Sequence, residues 1–130
     1  MSRRWPPRRA GYIVRNMDRT DYRYNLEYRE AVRARMLTLA KGVISGDLGA
    51  IAAARELKGF QDGVEPEIGV LLIVFVAIDS ETDALPVGKE RTLWNAEALV
   101  REDRKIAAAE LRWRAKAVDS ATQLVRILER

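Results

Sequence analysis

Residues 68–88, IGVLLIVFVAIDSETDALPVG, decide how the rest of the chain must fold. Eleven consecutive apolar residues from Ile68 to Ile78 run into three carboxylates, Asp79, Glu81 and Asp83, before Leu85-Pro86-Val87-Gly88 stops the element. The run is too short to span a membrane, which takes roughly 20 apolar residues, so the protein's own core has to bury it. Its β-branched members, Val70, Ile73, Val74, Val76 and Ile78, would suit a buried strand as well as a helix. Helix is preferred on three grounds. Pro66 fits a first helical turn, Glu65 and Glu67 suit the positive end of a helix dipole, and no second alternating segment exists to pair with a lone strand. The pattern therefore predicts a helix over 66–82.

Outward from that run, the flanking segments read as helices able to bury it. Tyr28, Val32, Met36, Leu39 and Val43 recur every three or four residues, one face of a helix from Asp21, its expected N-cap, to Ser45. Arg29, Arg33 and Lys41 fall off that stripe, toward solvent or a partner. Gly46 is placed to end this helix and Asp47 to cap a second over about 48–59, where Ile51, Ala54, Leu57 and Phe60 step by three. From Asn95, another N-cap, to the C-terminus there is neither Gly nor Pro. At about 100° per residue, Leu99, Asp103, Ile106, Glu110, Trp113, Ala117, Ala121, Leu124 and Leu128 share one face of that last helix. The fold class expected is all-α: a small single-domain bundle of about four helices with one long C-terminal helix. The 66–82 helix should be its central member, packed by the first and the last.

Composition removes whole classes of chemistry. The 130 residues include no cysteine and no histidine. That leaves no disulfide framework, no zinc site of the usual kinds, no Ser-His-Asp or Cys-His nucleophile and no histidine base. Ser45, Ser80 and Ser120 have no base placed to activate them. The net charge of +4 is unevenly divided: residues 1–20 hold six arginines against Asp18, a net +5, whereas residues 21–130 hold 17 bases and 18 acids, a net −1. Residues 1–20 read as a basic irregular arm, with Trp5-Pro6-Pro7 favouring extended backbone, and residues 21–130 as the helical domain. The arm lacks the apolar core of a secretory signal, so the cytoplasm is the expected compartment; Met17 offers a second start.

Three constellations are candidates for function. Asp103 and Glu110 lie two turns apart on the face of the last helix expected to be buried. A metal or acid–base pair is one reading, but the Glu-x-x-His motifs of di-iron bundles are missing, and Glu27 with Glu30 finds no matching Glu-x-x-Asp on the last helix. Buried pairing with Arg29, Arg33 or Arg35, retained for register, is preferred. Asp79, Glu81 and Asp83 gather at a helix C-terminus, where the dipole disfavours carboxylates, and do not follow the calcium-loop pattern. With Arg91 they are read as a surface for a cognate protein bearing a basic patch, a metal site and a solvated loop being the other readings. In the arm, Arg3, Arg4, Arg8, Arg9 and Arg15 with Trp5 interleaved suit phosphate contacts and base stacking, which makes nucleic acid the alternative partner. No DNA- or RNA-reading motif accompanies them. Trp94 and Trp113 are read as core anchors. No catalytic residue, cofactor, metal or membrane contact is expected.

The block Phe75-x-x-Ile78-Asp79-Ser80-Glu81-Thr82-Asp83-x-Leu85-Pro86-x-Gly88-x-x-Arg91-x-x-Trp94, with Glu97-Ala98-Leu99 and Asp103 after it, resembles a recurring segment of small uncharacterised bacterial all-helical proteins. The resemblance covers residues 75–103 and the flanking helices loosely. It implies an immunity-like role, a non-catalytic protein that neutralises one cognate bacterial toxin by binding it. The Asp-Ser-Glu-Thr-Asp-x-Leu-Pro turn would then be either a shaped helix–helix connection or a contact surface. The arginine arm has no counterpart in that pattern.

Overall fold

Every regular element among the described residues, 21–130, is helical in this computed structural model. Four α-helices follow one another: α1 (Leu26–Ser45), α2 (Ala50–Leu57), α3 (Pro66–Thr82) and α4 (Ala96–Leu128), with short 3-10 turns at Lys58–Phe60 and Gly88–Leu93. The apolar run is thus helix, opened by Pro66 at its first turn with Glu67 beside it. Proline is harmless there because a first-turn N–H has no partner within the helix.

The helix ends show which local signals prevail. Asn25, not Asp21, caps α1, its side chain accepting from the Tyr28 N–H at 3.0 Å. Asp21 folds a separate turn ahead of it: its carbonyl accepts from Tyr24 and Asn25, and its carboxylate accepts from Arg23. Gly46 ends α1 as expected, in the left-handed conformation (φ 86°) that lets its N–H reach back to Gly42 and Val43. Asp47 does not cap α2; Gly49 stands at that position and supplies no side chain. Asn95 caps α4 as expected, accepting from the Ala98 N–H at 2.8 Å.

Packing differs from the expected arrangement in one respect. α1 packs chiefly on α4, and α3 lies against α2 and α4 rather than between the first and last helices. The core-facing side of α4 carries Ala109, Ala117, Ser120, Ala121 and Leu124, mostly small residues that let neighbouring helices approach closely. Phe75 and Leu72 of α3, Met36 of α1, Ile51 and Leu57 of α2 and Leu124 of α4 form the fully buried centre.

Only part of the apolar run is inside. Ile68, Leu72, Phe75 and Ile78 are buried on one side of α3. Val70, Ile73 and Val76 on the other side keep 60%, 51% and 38% of their surface in solvent. A helix apolar all round, flanked by two neighbours, cannot bury every side. The stripe read on α4 is likewise buried only toward its C-terminal half: Leu99 and Ile106 are half-buried, and Asp103 is exposed.

Candidate functional site

The acidic segment that closes α3 is mostly turned inward. Asp79 retains 6% of its surface, and its two carboxylate oxygens accept from Arg55 at 2.8 Å and Lys58 at 2.7 Å. The same Arg55 guanidinium donates to Thr82 Oγ1 at 3.2 Å, to the Thr82 carbonyl at 2.7 Å and to the Leu85 carbonyl at 3.1 Å. One cation from α2 therefore pairs with the buried carboxylate and ties the last carbonyl of α3 to the turn that follows, where a positive charge meets the negative end of the dipole. Burial pushes the Asp79 carboxyl upward, but the hydrogen bonds from Lys58 and Arg55 outweigh it and hold the carboxyl below its ordinary value. Asp79 is removed from any contact surface by these partners. The unfavourable position of a carboxylate at a helix C-terminus is resolved by Arg55 and Lys58.

Glu81 and Arg91 also have partners within the fold. Glu81 accepts from Arg112 and, at 2.8 Å, from the Trp113 indole N–H, and these bonds hold its carboxyl below the ordinary value. Arg91 reaches Asp103 at 2.7 and 3.2 Å and the Pro86 carbonyl at 3.2 Å, tying the 85–91 turn to the start of α4. Asp103 is thus exposed and paired with Arg91, not buried against Arg29, Arg33 or Arg35. Asp83 alone of the acidic segment is exposed with no ion pair among the described residues. Trp113 packs at the edge of the core, whereas Trp94 is 38% exposed and anchors nothing central.

Glu110 has a role that the sequence reading missed. Its two oxygens accept from the backbone N–H groups of Ala50 at 2.8 Å and Ile51 at 2.9 Å, so a carboxylate from α4 caps the N-terminus of α2. The arginines expected to meet it are elsewhere: Arg29 and Arg33 both donate to Glu65 Oε2, and Arg35 grips Glu56. Arg114 likewise donates to the Val43 and Ile44 carbonyls at the end of α1. Asp83 apart, the charged residues described so far bind helix ends, turns and one another, and among the described residues no three carboxylates converge as a metal site would require.

Among the described residues, two open surfaces stand out by their shape. One is the apolar face of α3, formed by Val70, Ile73 and Val76. The other is a groove at the root of α1, where hollows of about 280 and 350 Å³ share Tyr22, Arg23, Gly63 and Val64 as walls. The sequence pointed to neither, although an α-helix without a polar side in so small a domain is itself a signal of an exposed apolar face. Arg3, Arg4, Trp5, Arg8, Arg9 and Arg15, the nucleic-acid candidates, lie outside the described residues. Among the described residues no helix is long and apolar enough to cross a membrane. No family model, curated protein or solved structure matches the chain.

Proposed function

We propose that this chain is a non-catalytic, cytoplasmic protein-binding module whose contact surface is the open face of α3. The observation that carries this reading is the exposure of Val70, Ile73 and Val76 in one stripe of a helix rigidly held from behind by Leu72, Phe75 and the Arg55–Asp79 pair. Three large apolar side chains on one rigid helix face are the type of surface that a partner covers. Exposed Asp83, one residue beyond the helix, adds a charge that would orient a basic partner. The resemblance of residues 75–103 to small bacterial helical proteins makes a toxin-neutralising immunity protein the specific form of the proposal. The reading through the arginine arm, with nucleic acid as partner, draws on residues outside the described ones.

The test is capture from the native cells with tagged full-length protein, comparing wild type, Ile73→Asp and the remote control Asp119→Lys, each first shown to melt cooperatively. One protein held in stoichiometric amount by wild type and Asp119→Lys, and released by Ile73→Asp, supports the proposal. Equal retention by all three, or retention of nucleic acid alone, refutes it. If the captured protein arrests growth when expressed by itself and is harmless with this chain, the immunity form stands.

A further inference from the structure

The open face of α3 is shaped to receive its own likeness. At about 100° per residue, Pro66, Val70, Val76, Ala77 and Ser80 all fall within about 60° of Ile73, along one side of the helix. That strip runs for about 21 Å and carries no charge, because Glu67 and Asp79 lie about 120° round from Ile73. Ala77 is half-buried and the other five are exposed. A rigid apolar strip of this length is one that a lone protein seldom leaves bare.

Two ion pairs stand at opposite ends of the strip. Arg130 reaches Glu67 at 2.7 Å beside the first turn of α3, and Arg112 pairs with Glu81 beside the last. Between 43% and 63% of each of these four side chains stays in solvent, so all are free to take a further partner. Glu81 and Glu67 lie about 80° and 120° from Ile73 in the same sense, and both therefore border the same edge of the strip.

We infer that, when no partner is bound, a second copy of this chain covers the α3 face, the two α3 helices packing antiparallel about a two-fold axis at Ile73. The inference rests on α3 being the contact face and adds what occupies it first. The axis sets Ile73 against its own copy and Val70 beside Ala77 of the other, a large side chain against a small one. On the other edge Val76 comes beside Gly69 of the other copy, over which Gln61 and Val64 already stand. The same operation brings Glu81 beside Glu67 of the other copy. Each carboxylate arrives with its own arginine, so four alternating charges meet and none is left unpaired. Parallel packing would instead set the two acidic helix ends, each with an exposed Asp83, side by side with their dipoles aligned. The contact is about 21 Å long and one helix wide, less than the roughly 1,200 Å² of a standard complex. The dimer is therefore reversible, with a dissociation constant on the order of tens of micromolar, and a cognate partner can displace it.

The test is sedimentation equilibrium of the purified full-length chain, alone, from about 1 to about 200 µM. Wild type is expected to pass from monomer to dimer across that range. Ile73→Asp sets two like charges on the axis and should weaken the dimer at least about tenfold while still melting cooperatively. Leu111→Arg, at an apolar position of α4 that is 83% exposed, should leave the dimer as it is. The chain has no cysteine, so Val70→Cys and Ala77→Cys proteins can be mixed in a glutathione buffer to read the register. Mixed disulfides should outnumber both homodimeric ones several-fold, because these two positions meet only in the antiparallel pair. A monomer throughout the range, a dimer lost in Leu111→Arg but kept in Ile73→Asp, or a predominance of homodimeric disulfides would overturn the inference. Because no partner is present in these measurements, such a result leaves capture of a cognate protein by α3 to its own test.

Discussion

Arg55 joins the buried Asp79 carboxylate, at 2.8 Å, to the last carbonyl of the helix that bears it, Thr82 at 2.7 Å, and to the Leu85 carbonyl in the turn beyond, at 3.1 Å. The most conspicuous acidic residue of the sequence is therefore a fastening between α2 and α3. This fastening leaves the opposite face of α3 presented to solvent on a fixed backbone.

Replacing Asp79 by Asn should cost about 1–3 kcal/mol, because the largely covered Arg55 loses the charge that offsets its desolvation while the half-exposed Lys58 can turn to solvent. Asp83→Asn, at an exposed position, should stay within about 0.5 kcal/mol of wild type. Urea unfolding of both variants gives the comparison. Near-equal midpoints would mean that Asp79 is not buried as described.

Acid should weaken the fold by a predictable route. The carboxyls of Asp79 and Glu65 lie below their ordinary values in the folded state, since ion pairs and hydrogen bonds outweigh the opposing effect of burial. The unfolded chain then binds more protons than the folded one on the acid side, so stability rises with pH there. This contribution is complete above about pH 5 and is lost as pH falls through the lowered values. Urea midpoints at neutral and acid pH should converge in wild type toward those of Asp79→Asn, whose own decline is shallower. Parallel declines would exclude Asp79 as a contributor.

Leu72 and Ile73 are adjacent in sequence and opposite in consequence. Leu72 is fully buried and Ile73 is 51% exposed. Leu72→Asp places an unpaired charge in the core and should abolish cooperative melting. Ile73→Asp should cost no more than about 1 kcal/mol and leave the circular dichroism spectrum unchanged. A soluble, cooperatively melting Leu72→Asp protein would contradict the register of α3.

The cap on α2 can be removed from either side. Glu110→Ala should destabilise by about 1–2 kcal/mol, and Glu110→Gln, which keeps one acceptor oxygen, by less. A Cβ at Gly49 would lie 2.7 Å from Glu110 Oε2 and push the carboxylate off its donors. Gly49→Ala should therefore lose much of the same energy, and the double variant should cost less than the two single costs added together. Strict additivity would show that Glu110 and Gly49 act separately.

Much of the fold was legible in the chain itself because the signals are local. Pro66 at a helix start, Gly46 in the left-handed conformation after α1 and Asn95 ahead of α4 each satisfy or free backbone groups within one turn of themselves. The candidate sites were less legible. Asp103 and Glu110 share a helix face, yet one is exposed against Arg91 and the other reaches the backbone of Ala50 and Ile51. Helical periodicity says which residues share a face but not how far along the helix that face is covered.

The sequence by itself pointed to an all-helical domain over 21–130, favoured helix over strand for 66–82 on the strength of Pro66 and the missing partner strand, and determined that histidine and cysteine chemistry has no place in the chain. Composition and hydrogen-bond needs along the backbone suffice for that. Only the tertiary structure decided which side of an evenly apolar helix is buried and which carboxylates are internal. Both depend on which neighbours pack against α3: Arg55 and Lys58 of the α2 segment reach Asp79, while Val70, Ile73 and Val76 have no helix over them among the described residues. A residue's charge or hydrophobicity is fixed by its identity, but its exposure is a property of the packing.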